Sequence, residues 1–243
     1  MKLNSLIIFA LISILYLLEY YVPYRQKFSL KNNITNLSLG LINKIFLSIF
    51  IPVSLYQTYF MNINNSIRIE TYSYSLLITI FLFDLAIYWQ HRFFHLNNFL
   101  FKFHMPHHTD ELLNVSSGAR FHPLEIILSG IFKLILLITL NPKIEYYLIY
   151  ESCLLGFSLF NHSNIQINHQ LEKALAKVFV TPLVHRSHHD QNSLSMNRNF
   201  GNILVFWDKI FNTFELKPEV KYGVNSQNDT ENLLKQLQIP FKK

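Results

Sequence analysis

The sequence predicts an all-α protein, an integral membrane helical bundle with a histidine-rich metal-binding cap on its cytoplasmic side. Two observations predict this fold. Half of the 243 residues are hydrophobic and only 15% are charged, a composition that suits a chain partly buried in lipid. In addition, all eleven histidines fall between His91 and His189. The candidate metal-binding chemistry therefore belongs to the middle of the chain, and the long stretches on either side contain no histidine.

Long apolar runs predict the membrane helices. The first is a retained helix rather than a signal peptide, because no small-residue cleavage site follows it. The last two runs are separated by Asn141 and Pro142, which predicts a helical hairpin that dips into or crosses the membrane. The predicted spans are residues 3–18, 37–60, 72–89, 124–140 and 146–160, and a shorter amphipathic helix is predicted over residues 171–180.

Basic residues predict the orientation. Arg25, Lys27 and Lys31 lie in the loop between the first two spans, and such loops are usually cytoplasmic. Two spans separate this loop from the region after His91, so both lie on one side. We expect membrane helices in residues 1–72, a catalytic domain in 73–216 and a loosely attached polar tail in 217–243.

Three histidine clusters carry the metal-binding chemistry. Histidines three and four residues apart share one helix face, and imidazole is a common ligand of iron, zinc, copper and nickel. The clusters together offer up to eight nitrogens, which is enough for two metal ions. The first cluster is His91 and His95, the second is His104, His107 and His108, and the third is His185, His188 and His189.

Other side chains are expected around these ligands. His162 stands at the polar end of the last span and is a candidate ligand, as is His122, which precedes Pro123 at a helix start. Asp84 and Tyr88 share a helix face with the first cluster. An acid inside an apolar span is a functional candidate, and we expect Asp84 to accept a proton from a ligand imidazole. His169 is expected on the surface.

Several classes of site are excluded by the residues. The only cysteine is Cys153, which excludes cysteine-based zinc fingers and iron–sulfur clusters. The zinc-protease pattern His-Glu-x-x-His is absent. The net charge of +6 does not come from a basic stripe with interleaved aromatic residues, so we expect contact with anionic lipid headgroups and no nucleic acid.

The residues from Asp84 to Phe214 resemble the fatty acid hydroxylase/sterol desaturase superfamily. Beside the three clusters, the resemblance rests on Arg120-Phe121-His122-Pro123, Asn161-His162-Ser163-Asn164, Asn199-Phe200-Gly201 and Trp207-Asp208. Two positions depart from the family pattern. Asn197 stands where the family often has Asp, and Asn212 stands where it often has Gly.

This resemblance implies a cytoplasmic centre of two iron ions that uses O2 as co-substrate. The implied reaction is hydroxylation or desaturation of a lipid, either a sterol or a fatty acyl chain. It also places Asn199 beside the ligands, with Asp84 and Tyr88. Electrons must come from a separate donor protein, because the sequence has neither a glycine-rich dinucleotide motif nor a cysteine set for an iron–sulfur cluster.

Two other functions remain open from the residues. A zinc-dependent membrane hydrolase could use the same histidine clusters. A metal transporter or sensor is the third hypothesis, although transporters place their ligands near mid-membrane and often contain internal repeats. Here the ligands gather at the ends of the spans.

Overall fold

The computed structural model describes residues 2–61, 75–217, 220–224 and 230–242, without the side chains of residues 2–5 and 50–61. This part of the chain is all-helical and contains no β-strand, only two isolated bridges. The helices are α1 (Lys2–Tyr21), α2 (Leu30–Met61), α3 (Ser75–Leu96), α4 (Asn98–His108), α5 (Pro123–Leu140), α6 (Ile144–His162), α7 (His169–Leu175), α8 (Pro182–His188), α9 (Ser193–Met196), α10 (Phe206–Ile210) and α11 (Leu233–Gln238), with 3-10 turns at Val115–Ala119 and Ile239–Phe241.

Helix α6 lies at the centre of the packing. It contacts α1, α3, α8 and the 3-10 turn at 115–119, while α2 packs against α5 and the same turn. Aromatic side chains fill the space between α3 and α6, where the Phe83 ring centroid lies 5.3 Å from those of both Tyr147 and Tyr150. Burial of rings this large is a main source of stability.

The five predicted apolar spans all fall within long helices, except that residues 72–74 lie outside the described part. Among the described residues, one helix, Pro123–Leu140, is long and apolar enough to cross a membrane, and Leu6–Tyr21 is a shorter apolar helix. The all-helical prediction is confirmed. The multi-pass arrangement stays a prediction.

The helix predicted over residues 171–180 is shorter than expected, because α7 ends at Leu175. The following residues pair with the chain before α10. Val180 N–H donates to the Ile203 carbonyl at 2.9 Å, and Val205 N–H donates to the Val178 carbonyl at 3.0 Å. These long-range bonds replace the helical bonds that the amphipathic pattern predicts.

The described residues of the C-terminal segment, 220–224 and 230–242, are not loosely attached, contrary to the prediction. Val224 N–H donates to the His108 carbonyl at 3.0 Å. The Thr109 hydroxyl donates to Gln236 Oε1 at 2.9 Å, and Gln236 is fully buried. This polar segment therefore packs against the end of α4, beside the second histidine cluster.

Candidate metal centre

Nine of the eleven histidines converge at the ends of α3, α4, α6 and α8. They form two groups, and within each group the candidate ligand atoms lie within 4.8 Å of one another. We call them the five-histidine group and the four-histidine group. The first contains His91, His95, His104, His108 and His188, and the second contains His107, His162, His185 and His189.

The second and third clusters divide their ligands in opposite ways. In the second cluster, His104 and His108 join the five-histidine group while His107 joins the other. In the third cluster, His188 alone joins the five-histidine group. Each pair at i and i+4 shares a helix face, and the histidine between them points about 100° away from its neighbour. Two clusters of identical spacing thus link both groups.

The two groups are in direct contact. The rings of His108 and His189 stack with centroids 4.4 Å apart, and the rings of His104 and His107 lie 5.2 Å apart. The groups therefore form one candidate centre, with two adjacent sets of side chains that could each hold a metal ion.

Backbone carbonyls fix the orientation of four of the rings. Each Nδ1 faces a carbonyl oxygen, which can only accept, so Nδ1 carries the proton and Nε2 is left as an acceptor. The distances are 2.9 Å from His91 to Phe200, 3.1 Å from His107 to Arg120, 2.6 Å from His162 to Ser158 and 2.7 Å from His188 to Arg198.

A fifth ring is oriented by a carboxylate. His104 Nδ1 lies 2.7 Å from Glu125 Oε1, and both side chains are buried. A carboxylate in this position fixes the tautomer and raises the basicity of the opposite nitrogen, as is common for metal-bound histidines.

The Nε2 atoms of neighbouring rings face one another, and in one pair neither atom holds a proton. His107 Nε2 and His162 Nε2 are 3.0 Å apart, yet both are acceptors because their Nδ1 atoms hold the protons. His185 Nε2 lies 2.9 Å from His162 Nε2. A metal–nitrogen bond of about 2.1 Å places neighbouring ligand nitrogens about 3.0–3.4 Å apart. A bound cation satisfies this arrangement.

Burial keeps these imidazoles neutral. It lowers the pKa of His104 to about 3. Burial, together with the neighbouring histidines, holds the pKa values of His108 and His189 well below the usual value. Neutral imidazole is the form that binds metal, so the centre is ready for a cation at neutral pH.

The structure does not bring His122 to either group. Its Nδ1 accepts from Leu124 N–H at 3.1 Å, which caps α5. Its Nε2 lies 3.2 Å from the Leu237 carbonyl. Both nitrogens are therefore engaged away from the centre. His169 is exposed at the start of α7, as expected for a surface histidine.

Asp84 does not contact a ligand imidazole in the way the sequence predicts. Its carboxylate accepts from Trp207 Nε1 at 2.9 Å and from the backbone N–H groups of Ile203 and Leu204 at 3.3 Å. Asp84 therefore attaches α3 to the segment before α10. Seven residues separate it from His91, which is about 10 Å along a helix.

Tyr88 and Asn199 bond to the chain that follows α10, and Asn199 also bonds to α8. The Tyr88 hydroxyl lies 2.9 Å from Thr213 Oγ1. The Asn199 amide donates to the carbonyls of Val184 and Glu215. Asn199 precedes Phe200, whose carbonyl faces His91, so its contribution to the centre is to position that carbonyl.

Sequence reasoning missed a buried polar network behind the second cluster. Arg120 is fully buried. Its guanidinium donates to Asn36 at 2.7 Å, to the Pro106 carbonyl at 2.8 Å and to the Thr230 carbonyl at 2.7 Å. The Arg120 carbonyl in turn faces His107. The sequence signal was available in Arg120-Phe121-His122-Pro123, but no role was assigned to the arginine.

Asp110 completes this network. It accepts from Asn32 and Asn36 at 3.0 Å and from Ser117 at 2.6 Å. Burial raises the pKa of Asp110, but the Arg120 charge and the hydrogen bonds outweigh burial and lower it overall. The network ties α2 to the loop that follows α4.

Glu125 was also missed. It is an acid in the first turn of the most apolar helix, and this isolation is the signal that could have found it. Its Oε2 is buried and has no hydrogen-bond partner among the described residues.

Comparison with known proteins agrees with this centre. The fatty acid hydroxylase family model matches residues 76–213, which include all nine converging histidines. The fold and the centre define a helical protein with a histidine-rich candidate metal centre. The chain belongs to the fatty acid hydroxylase family.

Three relatives illustrate the similarity. The chain is 33% identical to human alkylglycerol monooxygenase over 148 residues, covering 60% of this chain and 32% of the relative. It is 24% identical to the Caenorhabditis elegans alkylglycerol monooxygenase over 225 residues, covering 90% and 43%. It is 26% identical to the ornithine lipid hydroxylase OlsE of Rhizobium tropici over 174 residues, covering 70% and 51%.

The chain thus spans between 32% and 51% of the length of these relatives. No solved structure matches it.

Proposed function

We propose that this protein is a membrane-bound oxygenase that holds two iron ions and uses O2 to hydroxylate a lipid. The observation that carries the proposal is the pair of adjacent histidine groups, with five and four candidate ligands. The Nε2 atoms of His107 and His162 face each other as acceptors, and a cation is a partner that satisfies both.

The number of ligands favours iron over zinc. Zinc sites in proteins are mostly tetrahedral, and catalytic zinc usually keeps three protein ligands. A group of five imidazoles suits a six-coordinate metal with one open position, and imidazole is a normal ligand of iron. The hydrolase alternative is therefore less well supported.

The chain's own residues hold and shield the centre. Iron would supply the redox chemistry with O2, which protein side chains lack. The carbonyls of Phe200, Arg120, Ser158 and Arg198 keep the imidazoles in one tautomer. Glu125 does the same for His104. Burial of the ligands excludes bulk water from the reacting atoms.

Exposed apolar surface supports insertion in a membrane. Only 17% of α5 is buried, and Ile131, Ile135 and Ile138 are each more than half exposed. Such a face is unfavourable in water and matches a lipid environment. We propose a multi-pass arrangement with the centre on the cytoplasmic side, and the domain division 1–72, 73–216 and 217–243.

A lipid substrate follows from the relatives and from the location. The relatives carry the names alkylglycerol monooxygenase and ornithine lipid hydroxylase, and both names state lipid oxygenation. The histidines gather at the ends of apolar helices, where a lipid tail can approach without entering water. We propose that a separate protein donates the electrons.

Anaerobic purification tests this function. The full chain should contain iron, and a lipid extract incubated with it, O2 and a reducing system should gain one oxygen atom by mass spectrometry, labelled when 18O2 is used. Zinc in place of iron, together with oxygen-independent lipid cleavage, contradicts the proposal and supports the hydrolase.

A further inference from the structure

An apolar cavity of about 550 Å³ lies between α1, α6 and the segment that joins α7 to α8. Leu11 lines it from α1, Phe157 and Phe160 line it from α6, and Leu175 and Phe179 line the remaining side. The volume is in the range of small-molecule sites in proteins.

Small side chains on α6 create this space. Ser152, Cys153 and Gly156 all line the cavity, and they lie within one helical turn of one another. A Cβ added at Gly156 would come within 3.3 Å of Leu11 Cδ2. The approach of α1 to α6 is therefore close at one point, and the cavity opens beside it.

Thr181 is the inner end of the cavity. Of the residues that line it, Thr181 alone is fully buried. Its hydroxyl makes no capping bond to α8 and has no hydrogen-bond partner among the described residues. The hydroxyl of Ser152, by contrast, donates to the Leu148 carbonyl at 2.8 Å. An unpartnered buried hydroxyl is costly unless a ligand satisfies it.

The inner end is connected to the four-histidine group by two elements, α8 and the end of α6. The Thr181 carbonyl accepts from His185 N–H at 3.0 Å, one helical turn along α8. Phe160 precedes His162 by two residues at the end of α6. The same two elements that form the inner end of the cavity therefore carry two of the four candidate ligands.

We propose that this cavity binds the hydrocarbon chain of the lipid substrate and that Thr181 donates a hydrogen bond to an ether or hydroxyl oxygen of that lipid. The occupant is a single-chain lipid, because the lining offers apolar carbon along its length and one uncommitted polar atom at its inner end. That the bound lipid is the substrate rests on the proposed function. The binding of a lipid in this cavity does not depend on it.

Cys153 provides a direct readout of binding, since it lines the cavity and is the only cysteine in the chain. The full chain in phosphatidylcholine nanodiscs is treated with N-ethylmaleimide, with and without 1-O-hexadecylglycerol. We expect the lipid to slow alkylation of Cys153. Hexadecane, which lacks oxygen, should protect more weakly than 1-O-hexadecylglycerol.

Two variants test the two parts of the proposal. Ser152→Phe fills the cavity and should abolish protection, while Leu155→Phe adds the same ring at an exposed position outside it and should leave protection unchanged. Thr181→Val keeps the side-chain shape and removes the hydroxyl. It should weaken protection by 1-O-hexadecylglycerol about 2–10-fold, the worth of one hydrogen bond, with no change for hexadecane.

The contrary results are clear. Equal protection by both probes, unaltered in Thr181→Val, means that the cavity holds only bilayer hydrocarbon and overturns the proposal. Protection that survives in both Ser152→Phe and Thr181→Val also overturns the proposal. Protection without any oxygenase activity leaves the binding site standing and refutes the proposed function, so the two failures are distinguishable.

Discussion

His104 Nδ1 and Glu125 Oε1 lie 2.7 Å apart, and both side chains are buried. This pair joins the second histidine cluster to the first turn of the most apolar helix. The carboxylate fixes one candidate ligand of the five-histidine group and connects the end of α4 with α5.

We expect Glu125→Gln to fold and to bind metal about 10–100-fold more weakly, because the amide cannot raise the basicity of His104 as a carboxylate does. The measurement is the rate of metal loss to a chelator. Glu145→Gln is the matched control, since Glu145 lies in the first turn of α6 and is exposed. Equal metal loss from both variants would contradict this role for Glu125.

We expect His188→Ala and His189→Ala each to lose about one of two metal ions per chain. The ions should come from different groups, because His188 belongs to the five-histidine group and His189 to the four-histidine group. Activity should be lost in both variants. Metal content per chain and iron spectroscopy distinguish the site that is emptied. The control is the exposed His169, whose replacement by Ala should leave the metal content unchanged. Two ions retained in either cluster variant would refute the assignment.

Asn212 has a φ of 57°, in the left-handed region. This position often holds glycine in the family, and asparagine is the side chain that tolerates such a backbone best after glycine. Asn212→Gly should therefore keep the stability, while Asn212→Val should lower it by about 1–2 kcal/mol. Denaturant unfolding measures both. Equal stability of the two variants would show that the backbone there is not left-handed.

Arg120→Met should lower the free energy of unfolding by about 3–5 kcal/mol, because it leaves the buried Asp110 without its cationic neighbour. The Pro106 and Thr230 carbonyls also lose their donor. The thermal unfolding temperature and the metal content should both decrease. Arg198→Met is the control, since Arg198 is exposed and its side chain makes one bond, to the Asn212 carbonyl. A similar loss in both variants would contradict the prediction.

The histidine spacing predicted most of the candidate centre. Positions i and i+4 share a helix face, so the first cluster and the outer histidines of the other two could be paired from sequence alone. The division of the second and third clusters between two groups could not be predicted. It depends on how α4 and α8 face each other, which spacing within one helix does not record.

Both errors arise because contacts between residues distant in the chain decide the outcome, and the local sequence does not record them. Asp84 lies on the same helix face as His91 but about two turns away from it. The segment at residues 203–207 donates the hydrogen bonds to its carboxylate. The C-terminal segment is polar, so composition predicted a loose tail. Its described residues are held by long-range hydrogen bonds, such as Val224 N–H to the His108 carbonyl and Thr109 to Gln236, and composition does not indicate such bonds.

The position of that C-terminal segment bears on biosynthesis. The described residues 220–224 and 230–242 follow every candidate histidine ligand in the chain, yet they bond backbone and side-chain groups around the end of α4. During translation the ligands leave the ribosome before the segment that braces them. The second cluster therefore reaches its final packing only after this segment has emerged and docked.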